Sequence, residues 1–369
     1  MVFDMCVPCL FGLEGPLGNE LRHMGMEDVQ AENGRVRFRG TDVDMARVNI
    51  CSRFGERVLI ELGSFEARTF DELFEGVRAL QWEKLIPKHG AFPVKGYSLD
   101  SELHSVPDCQ KIIKKAVSVR LGRIYGESWL PEDGELYQIQ FSLMKDKAAL
   151  YLDTSGTGLH KRGYRPAQVT APLRETLAAA MVDIAGYRGR GDFCDPFCGS
   201  GTIVIEAALS AKGRAPGIKR SFSAEKWQCI GGNAWKTARQ EALDREFHGA
   251  YSIFASDIDP RAVSIAKQNA ARAGVLESIR FSVADATKFS MNTERGVLVT
   301  NPPYGERMLE KSEARSLLNG FGAAVKNTRG WQTYIISSDD ELERYYGSRA
   351  AKVRKLYNGM IKCGLYIYK

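Results

Sequence analysis

Hydrophobic positions along the first 60 residues switch between the period of two that strands show and the spacing of amphipathic helices. A strand is predicted at Phe3 to Cys9, and a helix follows it. The Asn33-Gly34 pair predicts a tight turn that opens a hairpin, and a second helix is predicted over about residues 42–53. With a closing strand near residue 60, the order β-α-β-β-α-β predicts a ferredoxin-like unit over residues 1–63.

A second α+β unit is predicted over residues 64–155, followed by a linker over residues 156–169. An amphipathic helix, a strand near Tyr97 and a longer helix opened by Pro107 come first. A hairpin around Lys145-Asp146 closes the unit. The long helix has one apolar face, and its other side carries candidates for contact with a phosphate backbone: Lys111, Lys114 and Lys115.

From residue 170 to residue 369 strands alternate with helices, which predicts an α/β domain with a doubly wound, Rossmann-like parallel sheet. The last two strands flank Asn358-Gly359, the dipeptide most typical of a two-residue hairpin. We therefore expect this sheet to close with an antiparallel hairpin. The predicted strands are Asp192–Asp195, Ser252–Asp257, Ile279–Val283, Gly296–Thr300, Trp331–Ser337, Lys352–Tyr357 and Met360–Tyr368.

The composition excludes several classes of protein. A chain of 369 residues with 44% hydrophobic and 26% charged residues is typical of a globular protein of two or three domains. We find no run of about eighteen apolar residues and no basic, apolar leader, so we expect neither a membrane span nor an export signal, and place the protein in the cytoplasm. Cys6 and Cys9 lack a second pair at zinc-ribbon spacing, so we expect buried thiols and no metal site.

Charge is distributed unevenly along the chain. The 51 basic residues exceed the 45 acidic ones by a net +6, which alone says little about partners. Residues 1–165 hold 22 basic and 24 acidic side chains, whereas residues 166–369 hold 29 and 21. The excess therefore lies in the C-terminal half, where it permits a surface that faces phosphates. A basic run near the C-terminus has the alternation of a solvated strand face: Arg349, Lys352, Arg354 and Lys355.

A glycine-containing turn follows the first strand of the α/β domain, in the segment Asp195-Pro-Phe-Cys-Gly-Ser-Gly-Thr202. Gly199 and Gly201 let the backbone approach a ligand where a Cβ would collide. The following helix offers free N–H groups to a carboxylate, and Asp195 can receive an ammonium group. The segment is neither a dinucleotide-binding G-x-G-x-x-G nor a P-loop. It suits the methionine end of S-adenosylmethionine.

Two more acidic residues end the second and third strands. Asp257 is placed to hold two ribose hydroxyls, and Asp285 to accept from an adenine amino group. Each alone is as easily a loop or helix-cap residue, and Asp259 is expected to cap the helix that begins at Pro260. Together they complete the predicted cofactor site: Asp195, Pro196, Phe197, Gly199, Ser200, Gly201, Thr202, Asp257, Ile258, Asp285 and Ala286.

The segment Asn301-Pro-Pro-Tyr304 follows the fourth strand, at the sheet edge where ligands bind. An exocyclic base amine is a weak nucleophile because its lone pair is delocalised into the ring. The Asn301 side-chain oxygen and the Pro302 carbonyl can each accept one of its N–H bonds, and Tyr304 offers a ring for stacking. Taken alone, the tetrapeptide is more often a rigid turn, and its place after the fourth strand and downstream of the cofactor residues favours the chemical role. Glu306 and Arg307 come directly after, as candidates for base or phosphate contact or for a helix cap.

These motifs resemble those of the THUMP-domain RNA guanine-N2 methyltransferases, above all the bacterial 23S rRNA N2-guanine methyltransferase group. The residues that carry the resemblance are segments 195–202 and 301–307, the stretch Tyr97 to Leu103, residues 110–116 and the linker 159–165. The resemblance implies a leading ferredoxin-like domain, a THUMP domain and a Class I methyltransferase domain. It further implies S-adenosylmethionine as cofactor, S-adenosylhomocysteine as product and structured RNA as partner, with Arg162 and Arg165 of the linker as further RNA-binding candidates.

Two alternatives stay open at the level of the sequence. The tetrapeptide at residues 301–304 does not separate guanine N2 from adenine N6, so an adenine-N6 DNA or RNA methyltransferase is the second reading. A non-catalytic RNA-binding protein on a methyltransferase scaffold is the third. The family's large-subunit enzymes can carry a second methyltransferase domain, and the resemblance here is to a stand-alone form.

Overall fold

A computed structural model describes residues 1–165, 173–291, 293–303, 311–326, 328 and 330–369. The described residues fold into two seven-stranded sheets with helices packed against them. The helices are α1 Glu14–His23, α2 Asp42–Cys51, α3 Phe70–Ala79, α4 Val106–Tyr125, α5 Glu175–Ile184, α6 Thr202–Ala211, α7 Gly232–Asp244, α8 Pro260–Ala273, α9 Lys311–Val325 and α10 Leu342–Tyr346. Within the described residues, each helix is too short or too polar to cross a lipid bilayer.

The first sheet begins with the predicted ferredoxin-like unit, whose strands are antiparallel in the order β2-β3-β1-β4. Gly34 has a φ of 72°, which allows the predicted turn between β2 and β3. Thr41 begins α2 with a capping box to Asp44. The strands are β1 Val2–Pro8, β2 Glu27–Glu32, β3 Arg35–Thr41 and β4 Leu59–Glu66.

The second α+β unit continues the same sheet. β4 pairs with β1 on one side and with β7 on the other, so the predicted boundary between residues 63 and 64 falls inside a strand. The sheet order is β2-β3-β1-β4-β7-β6-β5. Lys145 and Asp146 both have positive φ angles, of 50° and 62°, in the predicted hairpin turn. The added strands are β5 Val94–Leu99, β6 Ile139–Met144 and β7 Lys147–Asp153.

The two N-terminal cysteines lie on different faces of this sheet. Cys6 packs with Leu59, Ala149 and Tyr151, whereas Cys9 belongs to the main core. Both are buried, and burial raises the pKa of the Cys6 thiol to about 12. The prediction of buried thiols is confirmed.

The second sheet has the predicted Rossmann-like architecture, in the order β10-β9-β8-β11-β12-β14-β13. β14 runs antiparallel to both of its neighbours, because Asn358-Gly359 turns the chain back and places β14 between β12 and β13. β13 is therefore an edge strand, with Lys352 and Lys355 exposed. The strands are β8 Asp192–Asp195, β9 Ser252–Asp257, β10 Ile279–Val283, β11 Gly296–Thr300, β12 Trp331–Ser337, β13 Lys352–Asn358 and β14 Ile361–Tyr368.

The two sheet units share a buried interface. Trp227 stacks on Tyr137 with ring centroids 4.7 Å apart, and its indole N–H donates to the Leu136 carbonyl at 2.9 Å. At another point Arg47 of α2 pairs with Glu241 of α7 at 2.9 Å. One core cluster includes residues of both units. The N-terminal units are therefore packed directly on the domain that holds the glycine turn.

Candidate active site

The loop from Asp195 to Thr202 joins β8 to α6. Gly199 and Gly201 have φ angles of 49° and 83°, in the left-handed region that favours glycine. A Cβ on Gly199 would meet no atom within 4 Å, whereas one on Gly201 would lie 3.0 Å from the Cβ of Ala266 in α8. Gly199 therefore borders open space that a ligand can enter, and Gly201 allows the loop to pack against α8.

Two hydrogen bonds hold this loop in place. The Gly199 N–H donates to Oδ2 of Asp257 at 2.9 Å. From the other side, Nδ2 of the buried Asn269 donates to the Ser200 carbonyl at 3.0 Å. The loop is thus ordered before any ligand binds, which reduces the conformational entropy lost on binding.

The start of α6 is suited to an anion. Gly201 occupies its N-cap position, and no side chain caps the first N–H groups. These donors and the positive end of the helix dipole favour a negative charge. Arg165 lies beside this position, because its guanidinium donates to Oγ1 of Thr202 at 3.1 Å, although its pair with Glu175 at 2.6 Å offsets much of its charge. A carboxylate fits this position.

The carboxylates predicted for the nucleoside end follow adjacent strands, since Val283 of β10 pairs with Asp257 of β9. Oδ1 of Asp257 accepts from the Asp259 N–H at 3.0 Å and Oδ2 from Gly199, which leaves each oxygen a further lone pair. Two ribose hydroxyls can still bind there. Asp259 itself accepts from the Arg261 N–H at 2.8 Å and caps α8, as predicted.

Asp285 caps the short turn that follows it. Its Oδ1 accepts from the hydroxyl and the N–H of Thr287 at 2.7 and 2.9 Å, and these bonds hold the pKa of Asp285 below its usual value. Its Oδ2 takes no part in them. Beside it, Ile258 and Val283 are 70% and 56% exposed, which is unusual for large apolar side chains at strand ends. An adenine ring fits between such apolar groups and this carboxylate oxygen, which has only a 4.0 Å ion pair with the exposed Lys288.

Asp195 joins the glycine loop to the loop after β11. Its carboxyl is buried, and Oδ1 accepts from the hydroxyl of Thr300 at 2.6 Å and from the Phe197 N–H at 3.1 Å. Burial raises its pKa to about 7, and the nearby charge of Asp257 acts in the same direction. Thr300 is the last residue of β11, so Asn301 follows this contact directly.

The Asn-Pro-Pro segment is described up to Pro303. Asn301 is half-buried and Pro302 is buried, at the edge of the sheet that also carries the glycine loop. Tyr304, Glu306 and Arg307, which the sequence adds as candidates, lie outside the described residues. The structure thus brings two of the three predicted catalytic residues next to the predicted cofactor loop.

The two linker arginines predicted to bind RNA have their side chains engaged within the protein, and their role in RNA binding stays a prediction. Arg162 is 6% exposed and donates to the carbonyls of Leu159 and Arg53, at 2.8 and 2.5 Å. Arg165 is engaged with Glu175 and Thr202, as described above. Both belong to the packing of the linker against α6, which a count of basic residues cannot reveal.

The three lysines of α4 differ in their surroundings. Lys114 is half-buried: it pairs with Glu132, donates to the Phe92 carbonyl at 3.2 Å and lies 3.6 Å from the centroid of the Phe92 ring. It therefore belongs to the packing of its domain and is not a free surface cation. Lys111 and Lys115 are exposed, and their role in RNA binding stays a prediction.

Two residues of the site were missed at the level of the sequence. Thr300 directly precedes the Asn-Pro-Pro segment, and Asn269 stands among alanines on the apolar face of α8. A polar side chain on an apolar helix face is a signal that it has a specific partner. That signal was available for Asn269, whereas nothing local distinguishes Thr300.

Three family models match the chain in the order of its structural units. An RlmL ferredoxin-like domain matches residues 4–59, and a THUMP domain matches residues 67–153. An RMKL-like methyltransferase domain matches residues 162–367. The last match includes the glycine loop, the acidic strand ends and the Asn-Pro-Pro segment.

Two relatives match nearly the whole chain. One is YpsC of Bacillus subtilis, named as a candidate RNA methyltransferase, with 45% identity over 360 residues that cover 97% of this chain and 93% of YpsC. The other is the ribosomal RNA large subunit methyltransferase K/L of Psychromonas ingrahamii, with 37% identity over 376 residues that cover 98% of this chain and 50% of that protein. The chain thus spans about half the length of this K/L relative.

Two solved structures have the same fold over the whole chain. A protein of Listeria monocytogenes described as a predicted N6-adenine-specific DNA methylase has 43% identity and a TM-score of 0.95, covering 100% of this chain and 96% of that one. SMU.472, described as a candidate methyltransferase in complex with SAH, has 38% identity and a TM-score of 0.94, covering 100% of this chain and 98% of that one.

Proposed function

The chain belongs to the RMKL-like methyltransferase family, and from this premise we propose that it methylates an exocyclic amine of an RNA base. The favoured target is N2 of a guanine in 23S rRNA. S-adenosylmethionine is the cofactor of this family, and the related SMU.472 structure holds SAH. The observation that carries the proposal is the 2.6 Å bond from Thr300 to Asp195, which places Asn301 beside the glycine loop.

The chain's own groups account for both ends of the cofactor. The N-terminus of α6 and Arg165 would hold the carboxylate, and Asp195 would face the ammonium group. Asp257 would hold the ribose, and Asp285 with Ile258 would hold the adenine. When bound, S-adenosylmethionine supplies an electrophilic methyl group on a sulfonium.

The loop after β11 prepares the amine. The Asn301 side-chain oxygen and the Pro302 carbonyl would accept its two N–H bonds, which draws the lone pair out of conjugation with the ring. Asn301 needs no change of protonation for this role. The prolines restrict the loop, so the two acceptors keep their spacing. Positioning and hydrogen bonding are thus the contributions of the protein to the reaction.

RNA is favoured as the substrate by the N-terminal half. The names of YpsC and the K/L relative refer to RNA, and the match to a THUMP domain agrees with the structured-RNA partner that the sequence resemblance implies. The chain spans about half of that K/L relative. We therefore propose for this chain only a reaction that the matched half of the relative would carry out. We place this reaction in the cytoplasm, where the ribosomal RNA substrate is found.

Adenine N6 is the second candidate target. It is favoured by the 43% identical Listeria monocytogenes structure, described as a predicted N6-adenine-specific DNA methylase. The Asn-Pro-Pro segment could accept the N–H bonds of either amine in the same way, because each is an exocyclic NH2 conjugated to a purine ring.

Labelled S-adenosylmethionine separates these candidates. The purified protein is given ribosomal RNA from a strain lacking its gene, or plasmid DNA, and the labelled nucleosides are identified by mass spectrometry. We expect N2-methylguanosine from 23S rRNA, formed at least about a hundredfold more slowly with Asn301→Ala. Label in N6-methyladenosine would favour the second candidate. Cofactor binding without transfer to either nucleic acid would contradict an enzyme and support an RNA-binding scaffold.

A further inference from the structure

A basic cleft lies where the linker meets the methyltransferase domain. It has a volume of about 370 Å³ and is bordered by the linker, by the loop after α6 and by the end of α8. No carboxylate lines it among the described residues. Its six cationic lining residues are Lys161, Arg162, Arg214, Lys219, Arg220 and Arg272.

Four of these cations lack an acidic partner. Arg162 is 3.6 Å from Glu206, and Arg214 is 3.2 Å from Glu246. In the part of the chain that the structure describes, no carboxylate lies within 4.0 Å of the other four, which we call the open cations: Lys161, Lys219, Arg220 and Arg272. The cleft therefore carries positive charge that the protein does not neutralise.

Arg220 is held rigidly at this site. Its guanidinium donates to the Thr157 carbonyl at 2.6 Å and to the Leu159 carbonyl at 3.0 Å. Burial lowers its pKa to about 10, and the nearby charge of Arg162 acts in the same direction. Carbonyl oxygens orient the guanidinium without cancelling its charge, so an anion entering the cleft would meet a positioned cation.

The loop that carries Arg220 is itself fixed. Arg239 of α7 donates to the carbonyls of Ile218 and Arg220 at 2.8 and 2.7 Å. The Gly217 N–H donates to the Ile50 carbonyl in α2 at 2.8 Å, which ties the loop to the N-terminal unit. The cleft is thus built by both halves of the protein and needs no rearrangement before binding.

We propose that this cleft binds backbone phosphates of the RNA substrate at a distance from the methylated base. Lys161, Lys219 and Arg272 are exposed around the positioned Arg220, an arrangement that suits a chain of phosphates better than one small anion. The inference rests on the proposed RNA substrate. It adds a contact outside the THUMP domain and outside the cofactor site.

The position of the cleft relative to the active site follows from the helices. α6 and α8 both begin at the sheet edge that carries the glycine loop, and the cleft lies near their other ends, at Leu209 and Ala273. At about 1.5 Å per residue, this separation is roughly 10 to 20 Å along the helices. An RNA that binds in the cleft could extend from there to the active site. The cleft would therefore orient the substrate through its phosphates and would not contact the target base.

The test uses Lys161→Glu combined with Arg272→Glu in the full-length protein, because both side chains are exposed and unpaired among the described residues. The matched control is Lys236→Glu combined with Lys267→Glu, which makes the same charge change on exposed positions of α7 and α8 outside the cleft. Affinity for transcribed 23S rRNA is measured by filter binding across a salt series. Calorimetric binding of S-adenosylhomocysteine reports whether the fold is intact.

We expect the cleft variant to bind RNA at least about fivefold more weakly than the control at 0.1 M salt. The slope of log affinity against log salt should become shallower by roughly 1.4 to 1.8, for two lost phosphate contacts. Affinity for S-adenosylhomocysteine should stay that of the wild type. Equal RNA affinity and equal salt slope in the two variants would contradict the proposal that the cleft binds RNA, and would leave the proposed function unaffected. Failure of the wild type to bind or methylate RNA would instead contradict the proposed function.

Discussion

The carboxyl of Asp195 lies close to its titration midpoint at neutral pH, because burial raises its pKa to about 7. Because this pKa is raised on folding, protonation of Asp195 contributes to the stability of the folded protein. The contribution is fully present below pH 3.8, the ordinary pKa of an aspartate, and is lost as the pH rises through about 7. A cation beside the group favours the opposite, ionised form. Binding of an ammonium group there would therefore release a proton.

This coupling predicts a pH dependence of cofactor binding. Affinity for S-adenosylhomocysteine should fall roughly tenfold from about pH 8 to about pH 6, since the proton on Asp195 must leave before the ammonium group binds. Asp195→Asn keeps an acceptor oxygen for Thr300 and should flatten this profile. Calorimetry in buffers of different ionisation enthalpy measures both affinity and proton release. An unchanged profile in the Asn variant would exclude Asp195 as the titrating group.

Asn301 is expected to act on the rate rather than on cofactor binding. Removing one preorganised oxyanion-hole donor typically lowers kcat by about 10²- to 10³-fold, and we expect a loss of similar size when Asn301→Ala removes an acceptor. Affinity for S-adenosylhomocysteine should stay within about twofold, because the role proposed for this side chain is to bind the amine and not the cofactor. Asn301→Asp retains an acceptor oxygen and should keep part of the rate. Wild-type turnover in the Ala variant would remove the role assigned to this residue.

At the scale of elements, α4 shows that neighbouring lysines on one helix can have different roles. The sequence places Lys111, Lys114 and Lys115 together on the polar side. The structure separates them, because α4 packs against the segment that carries Phe92 and Glu132 on the side of Lys114. Helical periodicity alone cannot reveal which polar position a distant loop will cover.

Substitutions of the α4 lysines should affect RNA binding and protein stability separately. Lys114→Glu should lower the free energy of unfolding by about 2 kcal/mol, because it sets a second carboxylate against Glu132 in a half-buried place. Lys111→Glu with Lys115→Glu should leave stability within about 0.5 kcal/mol and weaken RNA binding. Urea denaturation and filter binding measure the two effects. RNA affinity equal to that of the wild type in the double variant would show that these two lysines are only solvated.

At the scale of the whole molecule, a buried ionic cluster joins the linker to α6. Glu206 is fully buried, accepts from the hydroxyl of Tyr164 at 3.0 Å and lies 3.6 Å from Arg162. Burial raises the pKa of Glu206, and the charges of Arg162 and Arg53 oppose that shift. The cluster couples the N-terminal units to the methyltransferase domain.

Glu206→Gln tests this coupling. Removing the charge leaves Arg162 without its buried partner, and we expect a loss of about 3 kcal/mol in the free energy of unfolding. Glu241→Gln is the control, because its pair with Arg47 also bridges the two halves but is partly exposed and should contribute less than about 1 kcal/mol. Urea denaturation compares the two. Equal losses would show that burial does not set the strength of this junction.

The sequence by itself determined most of the architecture. All seven strands of the second sheet were predicted to within one residue at each end, as was the Asn358-Gly359 hairpin. The glycine loop and the acidic strand ends were likewise placed at one sheet edge. These features depend on local signals, namely hydrophobic period, turn residues and the order of elements, which a single segment of chain carries.

Only the tertiary structure decided how the parts join. It merged the two N-terminal units into one sheet through β4, turned Arg162 inward, and bonded Thr300 to Asp195. It also gathered the open cations from three separate segments into one cleft. The physical reason is the same in each case: these contacts join residues far apart in the chain, and burial, which sets their energies and pKa values, exists only once the domains have packed.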